Sequence, residues 1–188
     1  MELSDWELVR RCKDGDRQAF HELVERYQRK AVAIAFGMLH DRDDALDVSQ
    51  EAFAKVFTNI QQFKEEASFY TWLYRIVVNL SIDRQRQRSR QPLLEDDKGE
   101  GEGSGIDATP AATGTDPYEQ VKDKELGERI RAAIAELTPA HKAVILLREV
   151  EGLSYEGISE VLQCSRGTVM SRLHYARKKL QSLLRHDL

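Results

Sequence analysis

The sequence predicts an all-α fold made of two small helical domains joined by a flexible acidic linker. Apolar residues recur at helical spacing through both ends of the chain, no segment shows the alternating pattern of a strand, and only Pro139 among the four prolines lies outside 92–118. That stretch also holds five of the eleven glycines and has almost no periodic apolar face. Such a segment cannot bury enough surface to offset its ordering entropy. We therefore place the domains at 1–91 and 119–188, with the linker at 92–118 between them.

Four helices are expected in the first domain. Ser4 and Glu7 form an S-x-x-E capping box that opens a short first helix, which ends at the Asp-Gly-Asp turn 14–16. A long second helix follows, with an apolar face from Phe20 to Met38. The remaining apolar faces are those of a third helix (Ala45, Val48, Ala52, Phe53, Val56, Phe57, Ile60) and, after a loop at 61–67, of a fourth helix (Phe69, Leu73, Ile76, Val77, Leu80).

The second domain is expected to hold a helix over 121–137, another that starts at Pro139 and continues to Val150, and then a helix-turn-helix. Ser154 supplies the N-cap for a helix of about eight residues. A short break at 163–165 separates this helix from a second, amphipathic one. The residues expected to face inward are Ile158, Val161, Leu162, Val169, Leu173, Ala176 and Leu180.

The formal net charge of −4 argues at first against a nucleic-acid-binding protein, because affinity for phosphate comes mainly from positive charge. The charge is unevenly distributed, however: residues 1–91 have net charge 0, residues 92–118 have −6 and residues 119–188 have +2. Within the domains, residues 72–91 carry +4 and residues 163–188 carry +5. The acidic total is therefore a property of the linker, and two helix ends are basic.

The helix-turn-helix has the features of a major-groove reader: a short first helix and an exposed polar face on the second. Arg172 could donate two hydrogen bonds to a guanine edge, while Thr168, Ser171 and Lys178 suit phosphate contacts. The alternative is an ordinary helical hairpin with a solvated face. The basic end of the chain favours the first interpretation.

Two segments of the first domain also carry chemistry. Residues 69–75, FYTWLYR, place aromatic rings beside a basic residue, and rings that a core does not need can stack on unpaired bases. The alternative, that the rings are simply core, fits Phe69 and Leu73. Residues 47–53, DVSQEAF, combine an apolar seam with a polar patch, which alone could equally be a solvated helix face.

In their order and spacing, the motifs DVSQEAF, FYTWLYRIVVN, GLSYEGIS and GTVMSRLHYAR resemble the extracytoplasmic-function (ECF) sigma factors of the bacterial sigma-70 family. The resemblance covers about 17–91, the region 2 domain, and 119–185, the region 4 domain. It implies a subunit that binds core RNA polymerase, recognises the −10 and −35 promoter elements and promotes DNA melting. Stress or envelope signalling under an anti-sigma factor is also implied.

The resemblance assigns three sets of residues. The first binds the clamp coiled coil of the largest polymerase subunit and comprises Asp47, Gln50, Glu51 and Phe53. The second engages the −10 element through the loop at 62–68, through Tyr70, Trp72, Arg75 and Asn79, and through the phosphate-binding Arg84, Arg86 and Arg88. The third engages the −35 element through Arg166, Ser171, Arg172, His174 and Arg177, beside Thr168 and Lys178.

Two more expectations concern partners and the linker. The resemblance implies contact with the flap region of the second-largest polymerase subunit and a cytoplasmic location, where an anti-sigma factor can hold the protein at the inner membrane. The linker would span about 29 Å as a coil and about 90 Å fully extended, against about 58 Å between promoter elements roughly 17 base pairs apart. Its acidic stretch 95–102 is expected to lie in a basic polymerase channel.

Other classes of function are disfavoured. The five histidines are scattered, with neither a catalytic pattern nor a Gly-rich phosphate loop, so we expect no enzyme and no cofactor. The aspartates at 41, 43, 44 and 47 match no calcium loop, so we expect no metal. Cys12 and Cys164 indicate no disulfide framework, and no apolar run is long enough for membrane insertion. A helix-turn-helix regulator that works without polymerase, with a first domain that only dimerises, stays open.

Overall fold

The structure, a computed structural model, describes residues 3–64, 67–90 and 117–185, with the backbone alone described for 117–124. The predicted all-α fold is confirmed, since every regular element in these ranges is helical. The predicted acidic linker lies outside the described residues except for its last two positions, which are helical, and two positions of the predicted −10 loop also lie outside. The elements are α1 (Asp5–Lys13), α2 (Arg17–Leu39), α3 (Arg42–Asn59), a 3₁₀ turn (Ile60–Gln62), α4 (Phe69–Arg90), α5 (Pro117–Ala135), α6 (Pro139–Ile145), a π-helical turn (Leu146–Val150), α7 (Tyr155–Leu162) and α8 (Arg166–Arg185).

The helix starts in the N-terminal half are set by capping residues. Ser4 and Glu7 make the predicted capping box, in which the amide of Ser4 donates to Oε2 of Glu7 at 2.8 Å and the amide of Glu7 donates back to Oγ of Ser4 at 3.3 Å. Asp16 caps α2, and Asp41 caps α3 by accepting from the amide of Asp44 at 2.9 Å. Within the acidic cluster at the start of α3, Asp41 is therefore explained by capping, and Asp44 pairs with arginines of α4.

Helices α1 to α4 pack around one core. Leu23 of α2, Val56 of α3 and Leu73 of α4 are each fully buried, and such a side chain contributes about 1.5–3 kcal/mol of transfer free energy. Phe57, expected on the apolar face of α3, is instead 54% exposed. Helical spacing predicts the helix correctly here but does not show where its apolar face leaves the core.

The C-terminal half forms the predicted helix-turn-helix, and its buried residues belong to the same hydrophobic cluster as those of α1 to α4. Ile158 and Leu173 are buried in this cluster, as is Leu147 of the π-helical turn. Ser154 caps α7 at its start, and Gln163 follows the last residue of α7 with a left-handed φ of 48° that turns the chain toward α8. Among the described residues, no helix is long and apolar enough to cross a membrane.

The two halves contact each other. α4 packs against α7, and α2 packs against α6 and the π-helical turn. At the second contact, the absence of a side chain at Gly37 makes room for the Leu146 side chain. A Cβ at position 37 would lie 2.6 Å from the nearest carbon of Leu146. The fold thus brings the helix-turn-helix beside the first turns of α4.

Candidate nucleic-acid interface

The aromatic start of α4 is part core and part surface. Phe69 is 1% exposed and belongs to the core, as its alternative interpretation predicted. Trp72 is half-buried, with its ring centroid 4.8 Å from that of Phe63, and Tyr70 is also half-buried. The two rings predicted to contact DNA are therefore packed against the core and remain partly accessible to solvent.

Arg75 and Asn79 follow on the next turns of α4. Arg75 is half-buried and donates from Nη2 to the backbone carbonyl of Glu160 at 2.7 Å. Its Nε is buried and makes no hydrogen bond with the described residues. Asn79 is exposed and lines a cleft of about 880 Å³ between α4 and the C-terminal half. Donors on this stretch of α4 thus point at the C-terminal half of the chain.

Two of the three predicted phosphate-binding arginines farther along α4 are ion-paired with the start of α3. Arg84 lies 3.0 Å from Oδ1 of Asp44, and Arg88 lies 3.0 Å from Oδ2 of Asp41 and 2.5 Å from Oδ2 of Asp44. The amide of Asp44 and the Arg88 guanidinium hold the pKa of the Asp41 carboxyl below its usual range. Arg86 is more exposed, with only a 3.8 Å pair to Asp83. Of the three, Arg86 is the one most open to an incoming phosphate.

The predicted polymerase-binding set lies on α3. Asp47, Gln50 and Glu51 are exposed, and Glu51 pairs with Lys55 at 3.2 Å. Phe53 was expected on the same surface, but its ring is 8% exposed and belongs to the core. In this structure it packs α3 onto the core.

Sequence reasoning missed two exposed apolar residues on the same helix, Leu46 at 40% and Phe57 at 54%. Phe57 packs edge-on against Phe20 of α2, with ring centroids 5.0 Å apart. One feature of the sequence indicates these exposed residues: the apolar stripe on α3 is wider than the side of a helix that faces a core. Exposed apolar side chains beside a polar patch are typical of a protein-binding surface.

The first turn of α8 is held by its own caps. The amide of Thr168 donates to Oγ of Ser165 at 3.1 Å, and the hydroxyl of Ser171 donates to the carbonyl of Thr168 at 3.0 Å. Arg166 is exposed and pairs with Glu156 at 3.0 Å. The polar groups at the start of α8 are therefore fixed in direction before any ligand arrives.

The rest of the predicted −35 set lies on the outer side of α8. His174 and Lys178 are exposed, and Arg177 pairs with Glu149 at 2.7 Å, which raises the pKa of its guanidinium. Arg172 is half-buried, has Nη1 3.9 Å from Sγ of Cys164 and lines the cleft toward α4. Helix α8 thus brings the set to one side of the helix-turn-helix, with Arg172 at its inner edge.

Exposed apolar residues also lie on α8. Met170 is 54% exposed and Tyr175 is 62% exposed. Apolar side chains on a groove-reading helix can contact thymine methyl groups.

The fold also brings in a residue that the sequence did not single out. Tyr74, directly before Arg75, is 2% exposed, and its hydroxyl donates to Oε2 of Glu151 at 2.6 Å. Burial and the neighbouring carboxylate raise the pKa of this phenol. Nothing in the sequence indicates this bond, because the partners are 77 positions apart.

The described residues contain no group of three or more side chains arranged to hold a metal ion. Cys12 is buried and Cys164 half-buried, and both are free thiols.

Comparison with known proteins identifies the class. The family model for sigma-70 region 2 matches residues 23–91, and the model for sigma-70 region 4 matches residues 127–180. The first match holds all of α3 and α4 and most of α2, and the second holds α7 and most of α8. Fold and matches together define a sigma-70-type sigma factor.

Relatives that match over nearly the full length narrow the class of sigma factor further. The ECF RNA polymerase sigma-E factor of Haemophilus influenzae is 38% identical over 96% of this chain and 95% of its own. The RNA polymerase sigma-H factor of Pseudomonas aeruginosa is 37% identical over 96% of both chains. A solved structure, the sigma factor RpoE in complex with the anti-sigma factor NepR from Bartonella quintana, superposes with a TM-score of 0.67 at 25% identity, covering 90% of this chain and 98% of that one. The chain belongs to the ECF sigma factors, which are not enzymes.

Proposed function

We propose that this protein binds core RNA polymerase through α3, reads a −10 element with α4 and a −35 element with α8, and promotes promoter melting. The observation that carries the proposal is the pair of polar surfaces, one on the region 2 helix α4 and one on the region 4 helix α8. Each has a fixed backbone and a set of donors suited to nucleic acid. The full-length relatives named as RNA polymerase sigma factors support the polymerase-bound role.

The polymerase contact involves the exposed side of α3. Asp47, Gln50 and Glu51 supply the polar part, and the clamp coiled coil of the largest polymerase subunit is the proposed partner. Leu46 and Phe57 add the apolar area that gives a polar contact its affinity. Phe53 is buried and contributes by packing α3 onto the core, which holds the exposed side of the helix in place.

This contact is tested by the double variant Gln50→Ala with Glu51→Ala. Affinity for bacterial core polymerase is expected to fall at least several-fold, measured by fluorescence anisotropy of labelled protein. Glu25→Ala with Gln28→Ala, an exposed pair of the same composition on α2, is the matched control and is expected to leave affinity unchanged. Equal binding by both double variants would remove α3 from the interface.

At the −10 element, the proposed step is the capture of an extruded base. Unstacking a base costs a few kcal/mol, and stacking on Tyr70 or Trp72 returns about 1–3 kcal/mol per base. Arg75 and Asn79 would supply hydrogen bonds to that strand. Arg84, Arg86 and Arg88 would contact its phosphates, with Arg86 the most open in this structure.

At the −35 element, α8 would lie in the major groove. Arg172 is placed to read a guanine, and Ser171 and His174 lie on the same helix. Thr168, Arg166, Arg177 and Lys178 would hold the backbone. The exposed pairs of Arg166 and Arg177 with glutamates are weak enough to exchange for phosphate.

The proposed partners are core polymerase, including the flap region of its second-largest subunit, promoter DNA and an anti-sigma factor. The last is supported by the Bartonella relative, whose structure contains one. A cytoplasmic location, where the polymerase acts, follows from the same proposal.

Run-off transcription with bacterial core polymerase over a promoter library tests the function as a whole. Enrichment of templates that share two elements about 17 base pairs apart is expected. A regulator that works without polymerase would bind DNA alone and give no core-dependent transcript, and that result would contradict the proposal.

A further inference from the structure

Phe63 follows the 3₁₀ turn and packs against Trp72, a ring proposed to stack on an extruded base. The two ring centroids lie 4.8 Å apart, with 31° between the ring planes. Phe69 also contacts Trp72, edge-on at 6.2 Å, but it belongs to the same helix α4. Phe63 is 5% exposed, so almost all of its surface is engaged in packing. The orientation of the Trp72 ring therefore depends on where Phe63 is held.

Helix α1 holds Phe63 in place. Nζ of Lys13 donates to the backbone carbonyl of Phe63 at 2.8 Å and lies 5.9 Å from the centroid of its ring. Trp6 stacks on the Phe63 ring, with centroids 5.9 Å apart and 26° between the planes. In the other direction, Nε2 of Gln61 donates to the carbonyl of Lys13 at 2.6 Å. Both the backbone and the ring of Phe63 are thus in contact with α1.

Lys13 is suited to this role by its position. It is the last residue of α1, where carbonyl groups have no donor within the helix and the helix dipole favours a cation. Its side chain is half-buried, and a charged donor makes a stronger hydrogen bond than a neutral one. Leu8 and Val9 anchor the same helix in the core, since both are fully buried. The support under Phe63 is therefore continuous with the core.

Base capture is sensitive to such support. A functional side chain has to be held within about 0.5 Å and about 10–20° of its productive geometry. The cost of unstacking a base and the gain from stacking it on a ring are of similar size. A small loss at the Trp72 ring therefore shifts the balance back toward the closed duplex.

We propose that Lys13 and Trp6 are positioning residues for the capture of the extruded −10 base, and that they act on Trp72 through Phe63. Helix α1 then serves the −10 element without contacting DNA. The match to sigma-70 region 2 begins at residue 23, after the end of α1. The inference rests on the proposed function, since it needs Trp72 to stack on a base.

Lys13→Met tests the inference, because it removes the donor and the charge but keeps an unbranched apolar side chain. Lys30→Met, at an exposed lysine of α2, is the matched control. Each protein is assembled with core polymerase, and anisotropy measures binding to −35 duplex and to the −10 single strand selected by run-off transcription. Lys13→Met is expected to bind the −10 strand about three- to tenfold more weakly than wild type, because a charged hydrogen bond is lost. Its −35 binding, and both affinities of Lys30→Met, are expected to stay within about twofold of wild type.

The tryptophans of the chain report on the ring directly. Trp6 and Trp72 are its two tryptophans, so the emission of a Trp6→Phe protein comes from Trp72 alone, while a ring is kept against Phe63. In this background, Lys13→Met is expected to lower the fluorescence anisotropy of Trp72 and to increase its quenching by acrylamide, because the ring gains mobility. Lys13→Arg keeps a cationic donor and is expected to restore both signals and the −10 affinity.

Gln61→Met tests the same contact from an exposed residue. It removes the donor to the Lys13 carbonyl and leaves the ammonium group in place. A smaller loss of −10 affinity, about two- to threefold, is expected for one neutral hydrogen bond. Circular dichroism and urea denaturation establish that each variant is folded in the assay. If Lys13→Met does not fold, Gln61→Met decides by the same comparison of −10 and −35 binding.

Unchanged −10 affinity in the folded Lys13→Met protein would overturn the inference. Equal losses at both elements would also overturn it, because they indicate a general effect on the fold. A −10 loss with unchanged Trp72 signals would show that Lys13 acts by another route, which again contradicts the inference. The proposed function fails separately: if wild-type holoenzyme binds no −10 strand, base capture itself is wrong, and the inference fails with it.

Discussion

Helices α4 and α8, the two proposed DNA-binding helices, hold their polar groups in different ways. On α4, Arg75 is bound to a carbonyl of the other half and Arg88 is paired with Asp44, whose side chain is 13% exposed. On α8, Lys178 is exposed and Arg177 is paired with a glutamate as exposed as itself, both side chains at 51%. The −10 helix is engaged within the molecule, whereas the −35 helix faces solvent except at Arg172, which lines the cleft toward α4.

This difference indicates which of the two surfaces can bind DNA in the free protein. Exposed pairs contribute at most about 1 kcal/mol, so the cations of α8 can exchange partners at little cost. Those of α4 must leave partly buried partners, which requires a rearrangement of the chain. We expect the free protein to bind −35 duplex measurably and −10 single strand poorly.

Trp72→Ala should give the largest effect, because it removes a ring that both packs and stacks. The free energy of unfolding is expected to fall by about 2–3 kcal/mol, below the value for a fully buried ring since Trp72 is half-buried. Binding of holoenzyme to −10 DNA should fall as well, while −35 binding stays. Chemical denaturation and anisotropy measure the two effects, and Trp72→Phe is the milder comparison. An unfolding free energy equal to wild type would contradict the packing shown for this ring.

Arg172→Ala should be next and should act on the other surface alone. Loss of a base contact is expected to weaken −35 duplex binding by about 1–3 kcal/mol and to relax selectivity at one position. Arg185→Ala, an exposed arginine at the end of the same helix, is the control. Identical affinities for the two variants, measured by anisotropy, would remove Arg172 from the reading set.

Lys178→Ala should have a smaller effect of a different kind. A phosphate contact carries no sequence information, so affinity is expected to fall equally for all duplexes. The slope of log K against log salt should become shallower by about 1. A loss that depends on sequence, with an unchanged slope, would assign Lys178 a role in base reading.

The ion pair between Asp41, the N-cap of α3, and Arg88 is expected to give the smallest effect on stability. Its folded pKa is lowered from 3.8 by the Asp44 amide and by Arg88, so its stabilising contribution is present above that value and is lost as the pH falls through the folded pKa. Asp41→Asn, which still caps the helix, should reduce acid sensitivity by less than about 1 kcal/mol between pH 5 and pH 2. Thermal unfolding across that range measures it, and identical pH profiles would show that the pair contributes nothing.

Much of the fold follows from local sequence. The capping box at Ser4, the N-cap at Ser154 and the helical spacing of apolar residues are short-range signals, and the structure has a helix at each of them. Phe57 shares the helical spacing that predicts α3, but the spacing does not show that its side chain is exposed, because the same spacing continues past the point where α3 leaves the core. The π-helical turn after Ile145 has no sequence signal that distinguishes it from a continuous helix.

The site was predictable to a different extent on each helix. On α8, the period of the helix alone predicts which residues are exposed. Arg172 is the exception, since it was expected to face outward and is half-buried. For α4, the partners of Arg84 and Arg88 lie on α3, 40 and 47 positions away, and Arg75 bonds a backbone carbonyl 85 positions away. Such pairs depend on how the helices pack, and no pattern within α4 encodes them.

A footprint of the protein on a promoter selected by run-off transcription tests the central claim most directly. With core polymerase, the account predicts two protected blocks about 17 base pairs apart and strand opening at the downstream block, with Arg172→Ala losing protection only upstream. The free protein is expected to protect at most the upstream block. Full protection and strand opening without core polymerase would contradict the account, as would a single protected block with it.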